Sequence, residues 1–169
     1  MDDLVTGVTT AVQLTVDLPP DQVWDLVTDV TRIGEWSPEV AGGAWVHRAG
    51  LVPQAGDGFQ GHNRFPNGLT ATVDCLVTQA DRPALFEWVV LDDANDPDRP
   101  GSIWRYDLRA DGAGTAVNHT FTHGSGDSGL RSGVEDNPDL ADDVIAERLA
   151  TLHRNMTQTL RAMTGGTDR

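Results

Sequence analysis

The chain has 169 residues, the size of one ordinary domain, and a chain this long buries about two-thirds of the surface its unfolded form exposes, so a core forms without covalent staples. Its formal charge of −14 comes from 26 acidic residues against 12 arginines, with no lysine and with both halves acidic, a field that disfavours nucleic acid and anionic membranes. The missing lysine removes Schiff-base chemistry and the phosphate-loop lysine, and the lone Cys75 excludes an internal disulfide or a thiolate metal cluster.

Met1-Asp2-Asp3-Leu4 has no basic region leading an apolar run, and nowhere do 18 apolar residues run together. The expectation is a cytoplasmic chain without a membrane span. Residues 1–169 read as one domain, ordered over about 7–164.

Over residues 8–17, Val8, Thr10, Val12, Leu14 and Val16 alternate with more polar neighbours, the pattern of a half-buried strand. Pro19 and Pro20 end it. Asp21 to Val27 then reads as a short helix with Val23, Trp24 and Val27 on one face. A second short helix starts near Asp29 and ends near Gly34, Gly42-Gly43 turns the chain, and Ala44 to His47 is a brief strand. Residues 49–58 read as a loop. Strands are expected over Phe59 to Phe65, Thr70 to Gln79 and Ala84 to Leu91, joined by turns at Pro66-Asn67-Gly68 and Asp81-Arg82-Pro83. The acidic loop Asp92 to Gly101 lacks the glycine and terminal glutamate of a calcium loop. Ser102 to Arg109 and Thr115 to His123 pair across the hairpin residues Ala110 to Gly114. Six or seven strands in succession predict an antiparallel sheet in an α+β fold. Residues 124–136, with four glycines by Gly133, read as a flexible connector.

The last element has the clearest period. Asn137 is placed to cap it, Pro138 suits the first helical position, and Asp139, Asp142 and Asp143 sit where the helix dipole favours negative charge. Leu140, Val144, Ile145, Leu149, Leu152, Met156, Leu160 and Met163 form a stripe over roughly 138–163, and Gly165-Gly166 ends it. A rod of about 38 Å has to lie across the full width of the sheet.

The order strand, two short helices, six antiparallel strands and long C-terminal helix resembles the START/Bet v 1-like (SRPBCC) superfamily, in particular its bacterial polyketide cyclase/dehydrase-like members. Pro20 to Asp29 is similar to that family's first helix, and Gly34-Glu35-Trp36-Ser37-Pro38-Glu39 to the segment after it. Gly58 to Arg64 is similar to its glycine-bearing strand, and Trp104-Arg105-Tyr106 with Gly114 to Val117 to its penultimate hairpin. The resemblance implies a helix-grip fold, with a curved sheet around the long helix and a cavity between them. Its functional implications span lipid and hormone carriers, aromatase/cyclases and chaperone cofactors.

Alternation sorts the strand residues into faces. Phe86, Trp88 and Val90 share one side of their strand. Trp104, Tyr106 and Leu108 oppose Arg105, Asp107 and Arg109; Val117, His119, Phe121 and His123 oppose Asn118, Thr120 and Thr122; and Val73, Cys75 and Val77 extend the inward surface. Asn63 shares a face with Phe59 and Gly61. Trp36 stands where it closes the mouth or plugs the core, Glu35 or Glu39 faces an incoming polar group, and Leu149, Leu152 and Met156 supply the helix side of the site. An apolar pocket with a few convergent polar groups is the general form of a small-molecule site. A continuous cavity of several hundred Å³ is expected on that reading.

The leading expectation is therefore binding of a small hydrophobic or aromatic molecule, lipid or polyketide-like, by a monomer or homodimer. The alternative is a cyclase/aromatase-like enzyme with His119 and Tyr106 as proton-handling groups, His119 having a suitable unperturbed pKa. His123, beside the glycine-rich segment, is expected to be exposed. The two histidines lie about 13 Å apart along the strand, too far for one metal. No cofactor is implied, since Gly58-Phe59-Gln60-Gly61 lacks the spacing of a dinucleotide fingerprint. An interaction module is a third reading, disfavoured by the polar outer faces.

Overall fold

In a computed structural model describing residues 3–165, Thr9–Val16 (β1) buries Val12 and Val16 with half-buried Leu14 between them on the same face, and exposes Ala11, Gln13 and Thr15, as a period of two requires. Pro20–Val27 (α1) starts with proline at its first turn and buries Val23, Trp24 and Val27. It stops at Thr28, whose hydroxyl donates to the Trp24 carbonyl at 2.7 Å. The second short helix is a 3₁₀ turn over Val30–Glu35.

Gly42-Gly43 is not a turn: the strand β2 spans Val40–His47 and runs straight through both glycines, with a register shift between Val40 and Gly42. The 3₁₀ turn packs on this strand, and a Cβ on Gly43 would come within 2.5 Å of the Val30 carbonyl oxygen, so Gly43 permits contact rather than reversal.

Gly58–Arg64 (β3), Thr70–Asp81 (β4), Leu85–Leu91 (β5), Ser102–Asp111 (β6) and Gly114–His123 (β7) complete a seven-stranded sheet, antiparallel throughout, in the order β1-β7-β6-β5-β4-β3-β2. Register sets Trp88 opposite Trp104, Trp104 opposite Phe121 and Tyr106 opposite His119, so the aromatic residues form one concave surface. The convex surface is polar at the same level: Arg105 donates to both Asp107 oxygens at 2.9 Å and approaches Glu87 at 3.5 Å.

Residues 124–136 are not a flexible connector. Ser128 caps Gly129–Asp136 (α2) by accepting from the Arg131 N–H at 3.0 Å, and Val134 is buried with Val5 and Ala141, against Leu130, Val144 and Ile145. Asn137 accordingly has a different task from the one expected. Its amide donates to the Gly133 carbonyl at 3.1 Å, closing α2, while Pro138–Leu140 forms a 3₁₀ turn and the long helix α3 runs over Ala141–Thr164. Leu140 leaves the stripe and is 54% exposed, because it precedes the helix instead of lying in it. Leu152, Met156, Leu160 and Met163 are buried on the sheet, and Gly165 ends α3 with φ of 66°, where a side chain would be strained. Gly166 lies outside the described residues. The whole is a helix-grip fold: a curved antiparallel sheet, two short helical elements after β1 and a long C-terminal helix.

Candidate functional site

α3 meets the rest of the fold through two clusters: toward its C-terminal end Leu160 and Met163 join the main core. At mid-helix Val12, Phe121, Leu152 and Met156 pack together, with Leu14, Trp104 and Leu149 against them. Beyond that contact a cavity of about 150 Å³ remains, suited to a small hydrophobic or aromatic molecule. It is smaller than the several hundred Å³ expected, because indole and phenyl rings occupy much of the space. Trp88 lies parallel to Trp104 (5°, centroids 6.1 Å apart), Phe86 lies 5.3 Å from Trp88, and Phe59 meets Trp88 edge-on at 6.1 Å.

Nine of the residues selected from the sequence line this cavity: Val73, Cys75, Phe86, Trp88, Trp104, Tyr106, His119, Leu152 and Met156. Four do not. Phe121 is on the expected face but is packed in the cluster at mid-helix, edge-on to Trp104 at 5.0 Å, and Leu149 packs on the same cluster. Asn63 lies beyond Gly61 toward the end of β3, opposite Val40 and Ala71. Trp36 is half-buried against the main core and carries the Arg32 guanidinium over its ring at 4.8 Å, so it plugs the core instead of forming the cavity wall.

Sequence reasoning missed the polar rim. Asp29 and Ser37 contribute from the segment before β2, and Asn155 and Thr159 from α3. The helical pair was detectable, since Asn155 and Thr159 fall three and seven residues after Leu152 and so interrupt the inward stripe with polar groups. Of the two glutamates singled out, Glu39 lines the cavity, whereas Glu35 is exposed and paired with Arg32 at 2.8 Å. The partner of Glu39 is Arg148 on α3, held through two bonds of 2.6 and 3.0 Å.

The titratable groups on the strands that line the cavity are held in their neutral forms. His119 is 4% exposed, and burial pushes its pKa down to about 3, partly offset by its bond to the Arg105 carbonyl at 3.2 Å. That bond requires Nδ1 to carry the proton, which leaves Nε2 as a bare acceptor. Burial thus disfavours the imidazolium that proton transfer near pH 6.5 would form. Tyr106 stacks on His119 with centroids 3.7 Å apart, and burial raises its pKa, so it stays a phenol. Among the described residues, neither its hydroxyl nor His119 Nε2 has a protein hydrogen-bond partner. Cys75 is a thiol, its pKa pushed up to about 12 by burial and then by neighbouring Asp74, far from the thiolate of a nucleophile. His123 is not exposed either: it is 2% accessible, hydrogen-bonded at both nitrogens, and outside the cavity lining.

Known proteins resemble the chain in the same terms. Among solved structures, a polyketide-cyclase-like protein of Corynebacterium glutamicum is 26% identical, with a TM-score of 0.64, covering 94% of this chain and 90% of its own. The Zhui aromatase/cyclase of a Streptomyces species is 17% identical, with a TM-score of 0.67 over 94% of this chain and 92% of its own. The di-domain ARO/CYC StfQ of the steffimycin biosynthetic pathway is 16% identical, with a TM-score of 0.73 over 95% of this chain, which spans 50% of StfQ. None of the curated proteins matches in sequence. A family model described as polyketide cyclase / dehydrase and lipid transport matches residues 7–163, and the chain belongs to that family.

Proposed function

We propose that the protein binds one small uncharged molecule, aromatic or otherwise hydrophobic, that presents one hydrogen-bond donor to His119 Nε2 and one acceptor to the Tyr106 hydroxyl. The observation that carries this reading is the pairing of two unpartnered polar groups, both neutral, on an otherwise aromatic wall. A cavity of about 150 Å³ is comparable with engineered apolar cavities that take up benzene, so the buried part of the guest is about one ring in size. Ring stacking on Trp88 and Trp104 supplies affinity, and the donor and acceptor supply orientation.

Calorimetric titration with a hydroxyacetophenone and with ethylbenzene tests it. The hydroxyketone should bind about tenfold more tightly, the effect of one net buried hydrogen bond. Saturable binding of neither compound overturns the reading.

A second reading is an aromatase/cyclase-like enzyme, supported by the likeness to Zhui and StfQ in fold. With a pKa of about 3, His119 accepts hydrogen bonds but is a weak proton acceptor. Catalysis on this reading rests on holding a flexible chain bent and polarising its carbonyl through Tyr106. Turnover that disappears in Tyr106→Phe and His119→Ala while binding persists supports it, and turnover unchanged in both excludes it.

A further inference from the structure

Glu39 and Arg148 stand where the cavity meets solvent. Glu39 lines the cavity and its side chain is 15% exposed; Arg148, 33% exposed, sits one helical turn before Leu152, which lines the cavity too. Their two bonds, Nη1 to Oε1 at 2.6 Å and Nη2 to Oε2 at 3.0 Å, join α3 to the segment leading into β2. That segment is firm on its own side. The Ser37 hydroxyl accepts from the Glu39 and Val40 N–H groups at 3.2 and 2.9 Å. The 3₁₀ turn is pressed onto β2 so closely that a Cβ on Gly34 would collide with the Ala41 carbonyl. Directly after Glu39 the pairing of β2 with β3 changes register, which gives the strand a place to bend.

The polar lining is distributed in a matching way. Asp29, Ser37 and Glu39 lie on the β2 side and Asn155 and Thr159 on α3, whereas the strands β5 and β6 contribute Phe86, Trp88, Trp104 and Tyr106. Of these groups the Glu39–Arg148 pair is partly exposed, whereas Thr159 is buried. The opening therefore lies between these two jaws, and the charge pair bridges it.

We infer that the Glu39–Arg148 pair is the latch of the cavity: a guest enters and leaves between the β2 segment and α3, and passage requires the pair to part. This rests on the cavity being the binding site proposed above. A bidentate carboxylate–guanidinium pair is directional and partly shielded from water, so it holds the jaws in one relative position. Its electrostatic part weakens as salt rises.

Cys75 allows the latch to be tested without a natural guest, because it is the chain's single cysteine and lies on the cavity wall. Its reaction with the uncharged aromatic disulfide 4,4′-dithiodipyridine releases one pyridinethione per thiol and so measures entry. Glu39→Gln and Arg148→Gln should each speed labelling about tenfold, the loss of one net charge-assisted contact, with thermal stability close to that of the parent. Rates in both variants within about twofold of the parent overturn the latch, that being below the effect of a single lost contact. Acceleration that follows urea with the full slope of global unfolding overturns it as well. Should either variant fail to fold, the parent decides: raising NaCl from about 0.05 to about 1 M shortens the screening length severalfold and should speed labelling, whereas an unchanged rate rejects the latch. Failure of the binding reading is separately visible, as latch-dependent labelling without saturable uptake of either aromatic guest.

Discussion

The middle and the end of β7 carry the same residue in opposite circumstances. His119 and His123 are both buried, and in both Nδ1 donates to a backbone carbonyl, Arg105 at 3.2 Å and Gly124 at 2.6 Å, which fixes the same tautomer. They differ at Nε2. At the strand end it accepts from the Ser128 hydroxyl at 2.5 Å, and Ser128 in turn accepts from the Arg131 N–H. Arg131 then reaches Asp3 at 2.9 Å, Thr6 at 2.8 Å and the Gly124 and Gly126 carbonyls, tying residues 3–6 to β7 and α2. At mid-strand Nε2 belongs to a residue lining the cavity and has no such partner. A completed network fastens chain segments together, whereas an incomplete one leaves hydrogen-bonding capacity for a guest.

Truncation of the two rings has the largest expected effect. His123→Ala should lower unfolding free energy by about 3 kcal/mol in urea titrations, since it takes one hydrogen bond each from the Gly124 carbonyl and the Ser128 hydroxyl and leaves a buried void. His119→Ala should cost clearly less, its ring bordering an existing cavity, and equal losses would contradict the distinction. Acid is the next lever. Both histidines have pKa values depressed by burial, His119 to about 3, so as pH falls below about 6.5 the unfolded chain takes up protons first. The stabilisation is complete above that pH and is lost on acidification, for His119 by roughly 1 kcal/mol per pH unit. Comparing urea midpoints of the parent and His119→Phe at pH 7, 6 and 5 should show a shallower fall in the variant.

Smaller effects separate the two ends further. Ser128→Ala should cost about 1 kcal/mol, the usual value of a helix cap, and leave aromatic guest affinity unchanged in calorimetry. Tyr106→Phe should change stability least, within about 0.5 kcal/mol because no protein hydrogen bond is lost, yet weaken binding of a hydroxyketone about tenfold.

Strand faces and the long helix were legible because they rest on period, and burial of Val12, Val16, Phe86, Tyr106, Leu108, Val117 and His119 follows it. What escaped has a common physical origin. Glycine permits both turns and close approach, so Gly42-Gly43 and the glycines before Gly133 read as breaks although the first pair runs within β2, with Gly43 against a packed 3₁₀ turn, and the others flank or lie within α2. Ser128 followed by Leu130 and Val134 was the available signal for α2. The site was legible as a face but not as a volume. Phe121 and Trp104 share a surface, and only the place where α3 touches the sheet decides which of them borders empty space. The Glu39–Arg148 pair joins residues 109 positions apart, and no local pattern reports it.

The parallel stacking of Trp88 on Trp104 has an optical consequence. Indoles at that separation exchange excitation faster than they emit, so both emit as one coupled chromophore. Because both rings form the cavity wall, an occupant that quenches or reorients either one changes the emission of both, making the unlabelled protein its own detector of occupancy.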